Sequence, residues 1–141
     1  MTNELRISRA LADEMVAHLA DERPNEGCGL LASKKGKVEK VIKMSNASAS
    51  PLRYSLDPQE QFHAYRLIDD EGLVLGGVYH SHTHTDAMPS PTDVRLASED
   101  VPYVIVSLAR EPAVIKAFRI VKVNWDDDDG DIEEIPVVIE G

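Results

Sequence analysis

Apolar and polar positions alternate along this chain with two periods. In "SRALADEMVAHLADERP" the residues Leu11, Met15, Val16 and Leu19 recur at helical spacing, with Ser8 at the N-cap position and Pro24 beyond the end. That pattern predicts an amphipathic helix, preceded by a short strand at "LRIS". "GCGLLAS" and "VEKVIKM" carry strand patterns on either side of "KKGK", whose glycine supplies a turn, so the pair reads as a β-hairpin. "SNASASP" is a loop and "RYSL" a short strand. Asp57 followed by Pro58 opens a second helix, "PQEQFHAYRLIDDEG", which Gly72 ends.

The mostly apolar "LVLGGVYHSH" predicts a buried strand, in which Gly76 and Gly77 permit a close approach by a neighbouring element. A third helix start follows at "SPTD". "VPYVIVSLA", "AVIKAFRIV" and "IEEIPVVIE" are the remaining strand signals. This element order predicts a single α/β domain over residues 1–141, a sandwich of helices around a mixed central sheet.

Composition narrows the partners. A formal charge of −10 would repel phosphate backbones and anionic membranes, so nucleic acid and membrane are excluded as expected partners. No apolar run is long enough to span a bilayer and the N-terminus has no signal-peptide pattern, so a cytoplasmic protein is expected. Cys28 is the single cysteine and has no intramolecular disulfide partner. The acidic "WDDDDGD" run places Trp125 where a calcium loop needs an oxygen ligand, which leaves a solvated turn with Asp129-Gly130 as its hairpin dipeptide.

The candidate chemistry lies in "VYHSHTHTDAMPSPTDVRLA". His80 and His82 are two apart on a strand, so both imidazoles face one side and can converge on one ion. A catalytic zinc needs a third protein ligand. Asp93 is one candidate and His84, of the same parity, is its rival. Asp93 also has a purely structural reading, because Ser90 at N-cap, Pro91 at N1 and Asp93 at N3 form a capping box. The two roles compete for Asp93, whereas Ser90 can cap and also aim its hydroxyl at a developing oxyanion.

Glu26, at the start of the apolar strand in "PNEGCGLL", is the candidate general base; the alternative is a loop-exposed acid. Cys28 shares its strand face if the strand has begun by Glu26. A buried thiol is the plain reading of Cys28 and a nucleophile served by His80 or His82 the competing one. His18 and His63 are assigned to helix surfaces or packing. The lone cysteine excludes a cytidine-deaminase zinc site with its paired cysteine ligands.

A glutamate followed at a distance by His-x-His, seven residues and Ser-x-x-Asp resembles the signature of the JAMM (MPN+) metalloproteases. The resemblance implies His80, His82 and Asp93 as zinc ligands, Ser90 as oxyanion donor and Glu26 as catalytic acid and base. Thr83 departs from the proline that many members carry after the second histidine. The wider text "PNEGCGLL", "MSNASASPLRYSLDP" and "YHSHTHTDAMPSPTDVRLA" is similar to the bacterial Mec-type peptidases. These remove cysteine from the C-terminal Gly-Gly of a small ubiquitin-like sulfur carrier.

The resemblance therefore implies a cytidine-deaminase-like fold, a bound zinc ion, and hydrolysis of the amide after that Gly-Gly as the activity. Two other readings stay open at this point: a non-catalytic carrier-binding module with a structural zinc, and a hydrolase dependent on Cys28. The oligomeric state is open between monomer and homodimer.

Overall fold

The computed structural model describes residues 4–141. In chain order the elements are β1 (Leu5–Ser8), α1 (Arg9–Asp21), β2 (Cys28–Lys34), β3 (Lys37–Met44), α2 (Pro58–Asp70), β4 (Val74–His82), α3 (Pro91–Leu96), β5 (Tyr103–Ser107), β6 (Val114–Val121), β7 (Asp131–Ile135) and β8 (Val137–Glu140). One mixed sheet has the strand order β7-β6-β5-β4-β2-β3-β1-β8. The helices begin where capping chemistry predicts: the Ser8 side chain accepts from the Leu11 N–H, and Asp57 from the Gln59 N–H. The hairpin between β2 and β3 turns through Lys35 and Gly36, both at positive φ, as its tight two-residue connection requires.

Alternation along the strands sends side chains to two helical layers. Leu31, Tyr79, Val104, Val106 and Ala117 pack with Ala12, Met15 and Leu19 of α1. From the opposite face Leu30, Val78 and Tyr103 pack with Ala64 of α2 and with Met44, Tyr54 and Ala97. The expected α/β sandwich is therefore present, with α1 on one side and α2 and α3 on the other. Gly76 and Gly77 serve the close approach foreseen for them: a Cβ on Gly76 would collide with the Ser33 side chain, and one on Gly77 would lie 3.3 Å from Leu31 Cδ1 and the Pro102 carbonyl.

Three local expectations are corrected. "RYSL" forms no strand; only an isolated bridge joins Leu56 to Asn46, whose side chain organises the loop instead. "IEEIPVVIE" is two strands, because Pro136 lacks the N–H that a continuous ladder needs. Its halves form opposite edges of the sheet, β7 on β6 and β8 on β1, and the sheet curls so that one residue joins its two ends. The acidic loop turns at Asn124, whose carbonyl accepts from the Asp127 N–H, and not at Asp129-Gly130.

Candidate metal centre

The cluster lies where β4 ends. Parallel pairing with β5 sets His80 opposite Ile105 and His82 opposite Ser107, and antiparallel pairing sets His80 opposite Cys28. Both histidines thus leave the sheet on the α2/α3 side, buried, as their spacing predicts. The chain then loops back to α3, whose first turn carries the buried Asp93 to the same spot.

Two imidazole nitrogens and the two oxygens of one carboxylate meet there. His80 Nε2 and His82 Nε2 are 3.3 Å apart, His82 Nε2 is 2.9 Å from Asp93 Oδ2, and His80 Nε2 is 3.2 Å from Asp93 Oδ1. A tetrahedral zinc shell with bonds of about 2.0–2.2 Å has donor–donor edges of about 3.3–3.6 Å, so the two longer separations lie close to that geometry and the third is somewhat shorter. The chemistry of the donors fits as well. His82 Nδ1 lies 2.8 Å from the Asp86 carbonyl and donates to it, which leaves Nε2 as the nitrogen that faces His80 and Asp93 and can bind a metal once deprotonated.

The electrostatics point the same way. Burial opposes ionisation of Asp93, yet hydrogen bonds from His80, His82 and the Ser90 N–H hold its carboxyl well below the usual carboxylate range. Burial pushes His80 down toward the neutral form. His82 is also disfavoured as a cation by burial, but its bonds to Asp93 and the Asp86 carbonyl outweigh this and raise it. The three side chains could hold a metal ion, whose charge a buried carboxylate favours.

The competition foreseen for Asp93 does not occur. Asp93 Oδ2 accepts from the Ser90 N–H at 2.9 Å as well as facing His82, and Ser90 Oγ accepts from the Asp93 N–H at 3.1 Å. The capping box is complete, and it fixes the carboxylate that closes the cluster. Because Ser90 Oγ is the acceptor in that bond, its own proton stays free for a further partner.

Glu26 is buried but precedes β2, so strand parity with Cys28 does not apply. Its N–H donates to the Ser50 carbonyl at 2.9 Å, and its carbonyl accepts from Asn46 Nδ2 at 2.9 Å. Desolvation, with a smaller contribution from Asp93 and against the pull of His82, raises its carboxyl to about 7. Its Oε1 is buried without a hydrogen-bond partner. A carboxyl poised near neutrality beside the cluster has the properties of a general base.

The rival residues separate cleanly. His84 is exposed, outside the triad of His80, His82 and Asp93 that could hold a metal ion. Cys28 is buried, its Sγ donates to the Ser45 carbonyl at 3.5 Å, and burial pushes its thiol up to about 12, the opposite of an activated nucleophile. Asn46, which holds the Glu26 backbone and bridges to Arg53 and Ser55, was not singled out from sequence. Its signal was present, since asparagine in a Ser-rich loop commonly bonds backbone groups.

Residues 8–121 match the family of prokaryotic homologs of the JAB domain. The chain belongs to the prokaryotic JAB family. It is 43% identical over 138 residues to a CysO-cysteine peptidase of Mycobacterium tuberculosis, covering 94% of this chain and 89% of that protein. A probable TtuB-protein conjugate cleaving protease of Thermus thermophilus is 44% identical over 102 residues, 72% of this chain and 68% of that protein. Among solved structures, a Desulfitobacterium hafniense protein superposes with a TM-score of 0.84 at 35% identity, covering 96% and 92% of the two chains. A JAB1/MPN domain protein of Archaeoglobus fulgidus shares the fold, with a TM-score of 0.62 at 18% identity over 98% and 99%. The JAB chain described here is a hydrolytic metallopeptidase with the α/β fold of that family.

Proposed function

We propose that this JAB peptidase hydrolyses the amide that follows the C-terminal Gly-Gly of a small ubiquitin-like sulfur carrier, releasing cysteine or a short C-terminal segment. The observation that carries the reading is the convergence of His80, His82 and Asp93 beside a buried, near-neutral Glu26. The similarity to a CysO-cysteine peptidase over most of both chains supports the choice of substrate class.

His80, His82 and Asp93 hold zinc in this reading, the two neutral imidazoles and one carboxylate matching the donor set of a catalytic site with an open position. When bound, zinc polarises the scissile carbonyl and lowers the pKa of a water from about 15.7 toward about 7. Glu26 takes a proton from the attacking water as the new C–O bond forms, and returns it to the departing amine as the carbonyl re-forms and the C–N bond breaks. Ser90 donates its free hydroxyl proton to the developing oxyanion. The side-chain-free Gly-Gly tail suits backbone pairing in a groove leading to the centre.

The test is release of cysteine from a carrier–cysteine adduct, followed by mass spectrometry. Cleavage should stop with a chelator, return with zinc and persist after treatment with a thiol alkylator. Burial holds the Cys28 thiol well above its usual range, so folded Cys28 should resist alkylation. Cleavage that ignores the chelator, or that an alkylator abolishes, overturns the proposal. A purely structural zinc with no cleavage would favour a carrier-binding module.

A further inference from the structure

The two histidines of the centre are held in different ways. A metal-binding imidazole is ordinarily oriented by a hydrogen bond from its second ring nitrogen, and His82 has one, from Nδ1 to the Asp86 carbonyl. His80 lacks it: its Nδ1 is buried with no hydrogen-bond partner, in a residue only 1% exposed. What lies against the His80 ring is Tyr54. The two rings stack with centroids 4.4 Å apart and planes 24° from parallel, at the close end of the range for aromatic pairs. Tyr54 is itself buried, in the core with Met44, Val78 and Tyr103. Its chain neighbours are pinned on both sides by Asn46, whose Nδ2 donates to the Arg53 carbonyl at 2.9 Å and whose Oδ1 accepts from the Ser55 N–H at 3.1 Å. The same Nδ2 donates to the Glu26 carbonyl at 2.9 Å, so the loop between β3 and α2 that carries Tyr54 also braces the segment bearing the base.

We infer that Tyr54 is a positioning residue of the metal centre, its ring standing in for the hydrogen bond that His80 Nδ1 lacks. The inference rests on the proposed zinc site and adds how one of its ligands is aimed. A histidine side chain turns about two bonds, and only a narrow range of those turns sends Nε2 toward His82 and Asp93. A second ring packed face to face blocks rotation out of the plane, because an edge of the imidazole would have to pass through the space that Tyr54 fills. Two flips remain within the plane, exchanging Nε2 with Cε1. The approach of Nε2 to Asp93 Oδ1 at 3.2 Å selects the one that presents nitrogen to the centre. This device uses the flat face of the tyrosine and not its hydroxyl. A phenylalanine at position 54 therefore keeps it, whereas a leucine fills apolar volume without a plane and leaves His80 free to turn.

The experiment measures zinc affinity by calorimetry, and the visible spectrum of the cobalt-substituted protein, for wild type, Tyr54→Phe and Tyr54→Leu. Tyr54→Phe should match wild type in both. Tyr54→Leu should bind zinc about tenfold to a hundredfold more weakly, the loss typical when the partner that orients a ligand is removed, and its cobalt bands should move because they report donor geometry. A role in packing alone would lower Tm and leave both readouts of the folded protein unchanged. Unchanged zinc affinity and cobalt bands in Tyr54→Leu, or an equal loss in Tyr54→Phe, overturns the inference while leaving the zinc site intact. A wild type that binds no zinc defeats the proposed site by itself. Whether Tyr54 aims His80 is then read from the zinc-free wild type by NMR, as it also is if Tyr54→Leu does not fold. One set of His80 ring signals with nuclear Overhauser contacts to the Tyr54 ring supports the inference, and several sets or no such contacts overturn it.

Discussion

Two histidine sites flank neighbouring positions of β4, and their difference shows what separates a packed histidine from a ligand. On the α1 face His18 Nδ1 meets the Tyr79 hydroxyl at 2.7 Å and Nε2 lies 3.4 Å from Glu22, so each ring nitrogen has one partner. Burial pushes this imidazole down, and a neutral ring satisfies the arrangement with no added ion. On the opposite face His80 and His82 aim their Nε2 atoms at each other and at one carboxylate. Among the described residues the buried side-chain polar atoms without a hydrogen bond are Glu26 Oε1, His80 Nδ1 and Thr83 Oγ1, and all belong to this end of the molecule. Burial alone is common to both sites. Convergent ring nitrogens around one carboxylate, with unfilled hydrogen-bonding capacity nearby, mark the second as the group that could hold a metal ion.

Breaking the convergence should have the largest effect. Asp93→Asn removes the charge that the imidazoles face while keeping much of the capping geometry, so zinc affinity should fall more than about a hundredfold and peptidase activity with it. Calorimetry with zinc checks this. The same measurement locates the site: wild type at about a thousandfold excess of free zinc over Kd should gain about 4 kcal/mol, seen as a rise of roughly 10 °C in Tm. That rise should shrink to about a third or less in Asp93→Asn and survive in full in His18→Gln. An undiminished zinc-dependent rise in Asp93→Asn would place the ion elsewhere.

Glu26→Gln sharpens the comparison by separating ion holding from proton transfer. It should lower kcat by about 10²–10⁴ while leaving zinc affinity within a few-fold of wild type. Loss of zinc binding in this variant would make Glu26 a ligand and not a base. Tyr79→Phe gives the smallest effect and touches only the α1 face. It leaves His18 Nδ1 without its partner, costing about 1–3 kcal/mol in urea unfolding with no change in zinc affinity. A changed zinc affinity would show that the two faces of β4 are coupled.

Much of this was legible in the chain because the relevant rules are local. Period-two placement of His80 and His82, and the box written in "SPTD", depend only on backbone geometry within a few residues. The order of the helices and most strands followed from the same periodicities. "RYSL" misled because its residues have strand character while their backbone is claimed by Asn46. "IEEIPVVIE" misled because the missing Pro136 N–H divides it, and nothing local says that its halves lie on opposite edges of a curled sheet.

The sequence by itself determined the donor types, the spacing that lets two imidazoles share a face, and the capping box that holds Asp93. Tertiary structure decided that Asp93 and not His84 completes the triad, that one carboxylate both caps and faces the histidines, and that Glu26 is buried to near-neutral acidity. The physical reason is range. Strand parity and helix capping act over a few bonds, whereas convergence, desolvation and unfilled hydrogen bonds depend on groups that only folding brings together.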